Sequence, residues 1–231
     1  MARALGVTEL YSKKFEILTF TGDYEKSYGN PEKNFSAIFY GKSGNGKTEG
    51  VIMFCKYLCQ FGNVYYNSYE QGHSESLVSA LRRQKMEDVR GKFLVGHKEP
   101  YQEMIKRLKK KKSPQTVVID SIQYIRMTYD MWLELRNMFP RKRFILISHA
   151  NGDEPDGYHA KKIEFDVDIK VLVKGYVAHP KCRFGGNHEF LIWDEGHRRY
   201  INRVRNKGKL PEAPKEAAPE PNESTEILKA V

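Results

Sequence analysis

Gly41-Lys42-Ser43-Gly44-Asn45-Gly46-Lys47-Thr48 decides how the rest of this chain is read. The spacing is GxxxxGK[ST]. An apolar run, Phe35 to Tyr40, precedes it and an amphipathic pattern, Thr48 to Gln60, follows, so strand, loop and helix are predicted in the order that this phosphate-binding loop (P-loop) requires. Glycines let the backbone curl until several N–H groups face one anion, and the start of a helix adds positive potential. Gly41 through Thr48 are therefore expected to cradle nucleotide phosphates. Lys47 is expected to reach the β- and γ-phosphates, and the Thr48 hydroxyl to hold Mg2+.

Outward from this loop, apolar strands alternate with amphipathic helices. Val64–Ser68 and Lys92–Val95 read as strands, and helices are predicted at Ser74–Lys85, with Ser74 as N-cap, and at Pro100–Lys110. Thr116–Asp120 and Phe144–Ser148 read as buried strands separated by a helix at Asp130–Met138. This order predicts an α/β fold with a mainly parallel sheet covered by helices on both faces. After Glu164 the pattern changes. Ile169–Val177 and Glu189–Trp193 are expected strands joined through a glycine-containing turn, with a further strand at Tyr200–Val204, giving an antiparallel extension. Residues 1–33 form a lead-in with a short helix at Thr8–Phe15 and turn formers from Gly22 to Glu32. Residues 34–206 form the core. Residues 207–231, dominated by Pro, Ala, Glu and Lys, are expected to be a disordered tail.

The chain has 231 residues and a formal charge of +10; segment 207–231, with four Lys and five Glu, contributes −1, so the rest carries +11. Such an excess favours a polyanionic partner, most simply nucleic acid. Of the three cysteines, Cys55 and Cys59 lie on the apolar stripe of the helix after the P-loop and read as small buried thiols; no CxxC spacing supports a zinc ribbon. Neither a signal peptide nor a long apolar span is recognised, so a soluble protein of a reducing cytoplasm, with no membrane partner, is expected.

Several residues complete a candidate catalytic set. Asp120 ends an apolar strand, where an acid beside a P-loop holds the water shell of Mg2+. Glu70 follows the strand Val64–Ser68, and adjacent parallel strands deliver their C-terminal ends to one crevice, so it is placed to activate the attacking water. His149 ends the strand Phe144–Ser148 and is placed to contact the γ-phosphate. Lys181-Cys182-Arg183-Phe184-Gly185 is expected at the turn of the late hairpin, with Lys181 and Arg183 on one side of an extended segment, able to project into a neighbouring subunit.

Taken together, these motifs resemble the RecA-like ATPases, and within them the RadA and replicative-helicase (DnaB-like) branch. Val118-Ile119-Asp120-Ser121-Ile122-Gln123 is similar to the RadA segment around its Mg2+-binding acid. The corner Ser68-Tyr69-Glu70 resembles the glutamate-bearing turn of the helicases. Ser148-His149 is similar to RadA's Gly-His, and Lys181-Cys182-Arg183-Phe184-Gly185 to its KNRFG motif with Cys for Asn. The resemblance spans Phe35 to Trp193 with every motif in family order. It implies a RecA-type sheet and a homo-oligomeric ring or filament with ATP between subunits. Lys47 and Thr48 would hold phosphate and Mg2+, and Asp120 would hold Mg2+. Glu70 would be the base and His149 the sensor, with Lys181 and Arg183 acting on the adjacent protomer's ATP. It also implies that Gln123–Thr128 and Ala150–Lys162 face single-stranded DNA. Counterparts of RadA's four-cysteine zinc module, its protease-like domain and the helicase N-terminal domain are not recognised, which suggests a minimal motor core of the phage or mobile-element type acting in the cytoplasm of a bacterial or phage-infected cell.

Three further basic stretches bear on DNA. Arg107–Lys112 ends a helix and reads as a solvated terminus matched to the helix dipole. Arg141-Lys142-Arg143 and the group Arg198, Arg199, Arg203 and Arg205 are candidates for tracking a phosphate backbone, and Tyr124, Tyr129 and Tyr158 for stacking on bases. The expected function is a Mg2+-dependent ATPase motor on single-stranded DNA in recombination, repair or replication. The rival classes are an ATP-controlled assembly module that recruits a protein partner through the tail or lead-in, and a helicase motor that needs a second chain.

Overall fold

The computed structural model of the chain describes residues 3–207. Segment 208–231, and with it all but the first residue of the expected tail, lies outside the described residues. In chain order the elements are α1 (Val7–Tyr11), α2 (Asp23–Tyr28), β1 (Ser36–Gly41), α3 (Lys47–Leu58), β2 (Val64–Ser68), α4 (Glu75–Arg83), β3 (Phe93–His97), α5 (Tyr101–Leu108), β4 (Thr116–Asp120), α6 (Tyr129–Met138), β5 (Arg143–Asn151), β6 (Glu154–Pro155), α7 (Tyr158–Asp166), β7 (Ile169–Lys174), β8 (Val177–Cys182), β9 (Phe190–Leu191) and α8 (Asp194–Lys207).

The central strands are apolar on both sides because each feeds two cores. Strand side chains alternate in direction. Ala37 and Phe39 of β1, Tyr66 of β2 and Val118 of β4 pack with Val51, Phe54 and Cys55 of α3 and Leu77 of α4. Ile38, Tyr65, Val117 and Ile119 pack on the other face with Met104 of α5, Trp132 of α6 and Ile163 of α7. The sheet order is β3-β2-β4-β5-β1-β7-β8-β9. The strands from β3 through β7 run parallel to their neighbours, and β8 and β9 extend the sheet antiparallel. The fold is thus α/β, with a mostly parallel mixed sheet flanked by helices. Among the described residues, no helix is long and apolar enough to cross a membrane.

The lead-in belongs to the core from Leu18 onward. Phe20 is fully buried among Phe35, Phe54, Tyr57 and Phe61, and Tyr28 packs on Phe54. Elements after Glu164 depart from expectation. The run Ile169–Val177 is not one strand: it folds back at Gly175-Tyr176, both at positive φ, so that Lys174 pairs with Val177 and Ile169 with Cys182. The turn therefore falls inside the expected strand, and Lys181 and Cys182 lie on β8 itself. Tyr200–Val204 is helical, inside α8, where Arg198 bonds Asp194 and Arg199 bonds Glu195 across one turn, the spacing that supports a helix. The segment Ala150–Lys162 is also no single loop. It finishes β5, pairs back through β6 and starts α7.

Candidate active site

Gly41 ends β1 against the backbone of Val173; a Cβ there would lie 2.2 Å from the Val173 carbonyl oxygen, so the loop can leave the sheet only through glycine. Asn45 then fastens the loop to the β7–β8 turn. Its Oδ1 accepts from the Gly175 amide at 2.8 Å, and its own carbonyl accepts from the Tyr176 amide at 2.9 Å. Its Nδ2 donates to the Lys42 and Ser43 carbonyls at 3.1 and 3.3 Å. Gly46, at φ 93°, lies directly beneath the Tyr176 ring and opens α3.

Lys47 donates to the Gly41 and Lys42 carbonyls at 2.8 and 3.2 Å. Burial lowers its pKa, while Glu70 and Asp120 act in the opposite direction. With Thr48, Glu49, Gln71 and Arg83, these residues line an open cleft of about 310 Å³. The P-loop, Glu70 and Asp120 thus converge on one space.

Asp120 and Glu70 are held as a unit. The amides of Tyr69 and Glu70 both donate to the Asp120 carbonyl, at 2.7 and 2.8 Å. The Asp120 side chain is buried and accepts from the Tyr66 hydroxyl at 2.5 Å. Burial raises its pKa to about 6, and Glu70 adds to the rise; the Tyr66 hydrogen bond, Lys47 and His149 oppose it. His149 Nε2 lies 3.0 Å from Glu70 Oε2, which brings the third expected residue to the same cluster. Its backbone amide donates to Gln123 Oε1 at 3.2 Å, and Gln123 Nε2 donates to Ser148 Oγ at 2.8 Å and to the Asp156 carbonyl at 3.1 Å. Gln123 thus joins the ends of β4 and β5 to the β6–α7 segment.

Lys181 and Arg183 do not reach this cluster in their own chain. Because β8 runs antiparallel to β7, it carries them to the end of the sheet opposite the P-loop. Arg183 there lies 3.5 Å from Asp168 and donates to the Phe165 carbonyl at 3.4 Å.

The basic stretches divide as well. Arg143, read as part of a phosphate-tracking cluster, is buried and donates to Thr116 Oγ1 at 2.8 Å and the Phe61 carbonyl at 2.9 Å. Lys142 is likewise turned onto Ser113 and the Pro114 carbonyl. Buried polar groups need internal partners, and Arg143 has them, so it is not a surface contact; Lys142 is half-buried. In the segment expected to face DNA, Lys161 pairs with Glu154, and Lys174 of β7 pairs with Asp153. Tyr124 and Tyr158 remain exposed, with Lys162 over the Tyr158 ring.

The sequence alone does not single out four residues here: Glu49, Arg83 and Tyr176, which line the cleft, and Trp193, which adjoins it. Glu49 is buried and bonded by Arg83 at 2.7 Å and by Gln84 at 2.8 Å. Arg83 in turn stacks on Trp193, and Tyr176 meets Trp193 edge to face. A carboxylate at a buried position of α3, immediately after Thr48, was the available signal for Glu49. Nothing local marked Tyr176 or Trp193, because strand order alone brings them to the P-loop. The chain matches no known family model and no curated protein sequence.

Proposed function

We propose that this chain is a Mg2+-dependent, ATP-hydrolysing RecA-like motor that assembles with copies of itself and acts on single-stranded DNA in recombination, repair or replication. The observation that carries this reading is the convergence of Lys47, Glu70 and Asp120 on one cleft at the C-terminal ends of parallel strands, with His149 bonded to Glu70. The strand order, in which β5 separates the P-loop strand from the Asp120 strand, is compatible with a RecA-type core.

The donor set suits Mg2+: one hydroxyl and one carboxylate, hard oxygen ligands that leave positions for water and phosphate oxygens. Thr48 and Asp120 would hold the ion, which when bound neutralises charge on the phosphate oxygens. Glu70 accepts the proton of the attacking water. His149, bonded to that carboxylate, orients it. Lys47 exchanges its two loop carbonyls for phosphate oxygens and stabilises the charge that builds there. Lys181 and Arg183, remote from their own P-loop, act on nucleotide bound by an adjacent copy.

The acids of the segment 150–162, where Asp153 and Glu154 meet Lys174 and Lys161 at the surface, favour one alternative, an ATP-controlled module that binds a protein rather than DNA. Hydrolysis measured with and without single-stranded DNA, over a range of protein and salt concentrations, separates the two. A DNA-stimulated rate that climbs with protein concentration is expected. A rate indifferent to DNA favours the module, and a protein that binds no ATP refutes both.

A further inference from the structure

The catalytic acids fix the direction in which a nucleotide must lie, and this inference rests on the nucleotide reading above. Glu70, Asp120 and His149 lie at or near the C-terminal ends of β2, β4 and β5, which are on one side of the P-loop strand; the β7–β8 turn and the β9–α8 segment lie on the other. A triphosphate with its reacting end toward the acids directs its nucleoside toward Tyr176 and the start of α8. A second hollow of about 160 Å³ opens there, sharing Gly44 and Tyr176 with the phosphate cleft. Its walls are the aromatic rings of Tyr176, Trp193 and Tyr200 and the side chains of Arg199 and Arg203.

The geometry points to Trp193 as the platform on which the nucleobase stacks. Two cations already lie over this ring, and they are held very differently. Arg83, 4.8 Å from the ring centroid, is pinned by the buried Glu49 through Nε at 3.2 Å and a terminal nitrogen at 2.7 Å. Arg199, 5.7 Å from the centroid, is exposed and, among the described residues, pairs with Glu195 of its own helix. Such a surface pair contributes little, so a flat aromatic ligand can displace Arg199 from the indole while Arg83 stays. The platform is set from below as well. Ile192, one residue before Trp193, packs where a Cβ on Gly50 would sit, and Gly196 allows α8 to approach both Trp193 and Tyr176. Stacking of this kind accepts any base, so the hollow confers affinity for a nucleoside rather than selection among bases.

The test compares binding of ATP and inorganic tripolyphosphate, each with Mg2+, by calorimetry. The Trp193→Ala protein is expected to bind ATP about tenfold more weakly, the scale of one stacked base, and tripolyphosphate as the unsubstituted chain does. Trp193→Phe keeps a ring and is expected to hold ATP within about threefold. It should also lose the ATP-induced change in tryptophan emission, because the other tryptophan, Trp132, is buried on the opposite face of the sheet. Unchanged ATP binding in Trp193→Ala overturns the inference, as does an equal loss for both ligands, which would make Trp193 a prop of the P-loop. If the unsubstituted chain binds neither ligand, the nucleotide reading itself falls and this one with it.

Discussion

Lys47 and Arg143 sit at opposite ends of neighbouring strands, and both are cations drawn in from solvent. Arg143 enters β5 with its guanidinium on Thr116 and Phe61, and burial lowers its pKa to about 10. Lys47 follows β1 with its ammonium on two loop carbonyls, beside an open cleft that also holds the carboxylates of Glu49, Glu70 and Asp120. The first has partners that nothing can replace without opening the core. The second has partners that a phosphate can outbid. Charge identifies neither role; the exchangeability of the partner does.

The sharpest way to break this contrast is Lys47→Ala. Hydrolysis is expected to fall at least about a thousandfold, with thermal unfolding almost unmoved, because loss of a preorganised cation is felt mainly in the transition state. Retained turnover would remove the functional half of the comparison. Glu70→Gln comes next. It keeps the shape and the backbone bonds to Asp120 but cannot accept a proton, so turnover is expected to drop about a hundredfold while ATP affinity holds, as direct binding would show.

Arg143→Met tests the other half. The Thr116 hydroxyl and the Phe61 carbonyl lose their donor, and denaturant unfolding should report a loss of about 2–3 kcal/mol, with activity per folded molecule unchanged. A drop in activity without a drop in stability would reverse the assignment.

Glu99→Gln should have the smallest effect. Burial opposes ionisation of Glu99, but hydrogen bonds from Arg107 and the Tyr65 hydroxyl outweigh it and hold the carboxyl below its usual range. A depressed carboxyl stabilises the fold above its unfolded pKa and loses that contribution as pH falls through the folded value. The substitution is expected to cost about 1 kcal/mol at neutral pH, with the two stability curves converging in acid.

How much of this could be read beforehand depended on where the information resides. β2 and β4 match the expected bounds because each is a short apolar run closed by polar residues. The proximity of Gly41–Thr48, Glu70, Asp120 and His149, as distinct from their roles, is legible for a related reason: parallel strands deliver their C-terminal ends together, so sequence position already implies nearness. The β7–β8 turn was missed because Gly175-Tyr176 interrupts a run of β-branched residues without a stronger turn signal. The helix α7 was hidden behind Gly152, Pro155 and Gly157, which read as continuous loop. Tyr200–Val204 reads locally as a strand, whereas the pairs Asp194–Arg198 and Glu195–Arg199 just before it carry the spacing of a helix. Arg143 looked like a surface charge because nothing in Arg141-Lys142-Arg143 says which of three cations the sheet will swallow.

The bonds from Asn45 to Gly175 and Tyr176 have a mechanical meaning. They clamp the P-loop to one end of β8, and the other end of that six-residue strand carries Lys181 and leads into Arg183. A strand of this length spans about 20 Å and resists bending within a paired sheet. The hairpin is therefore one stiff link between the loop at Asn45 and Arg183 at the far end of the sheet.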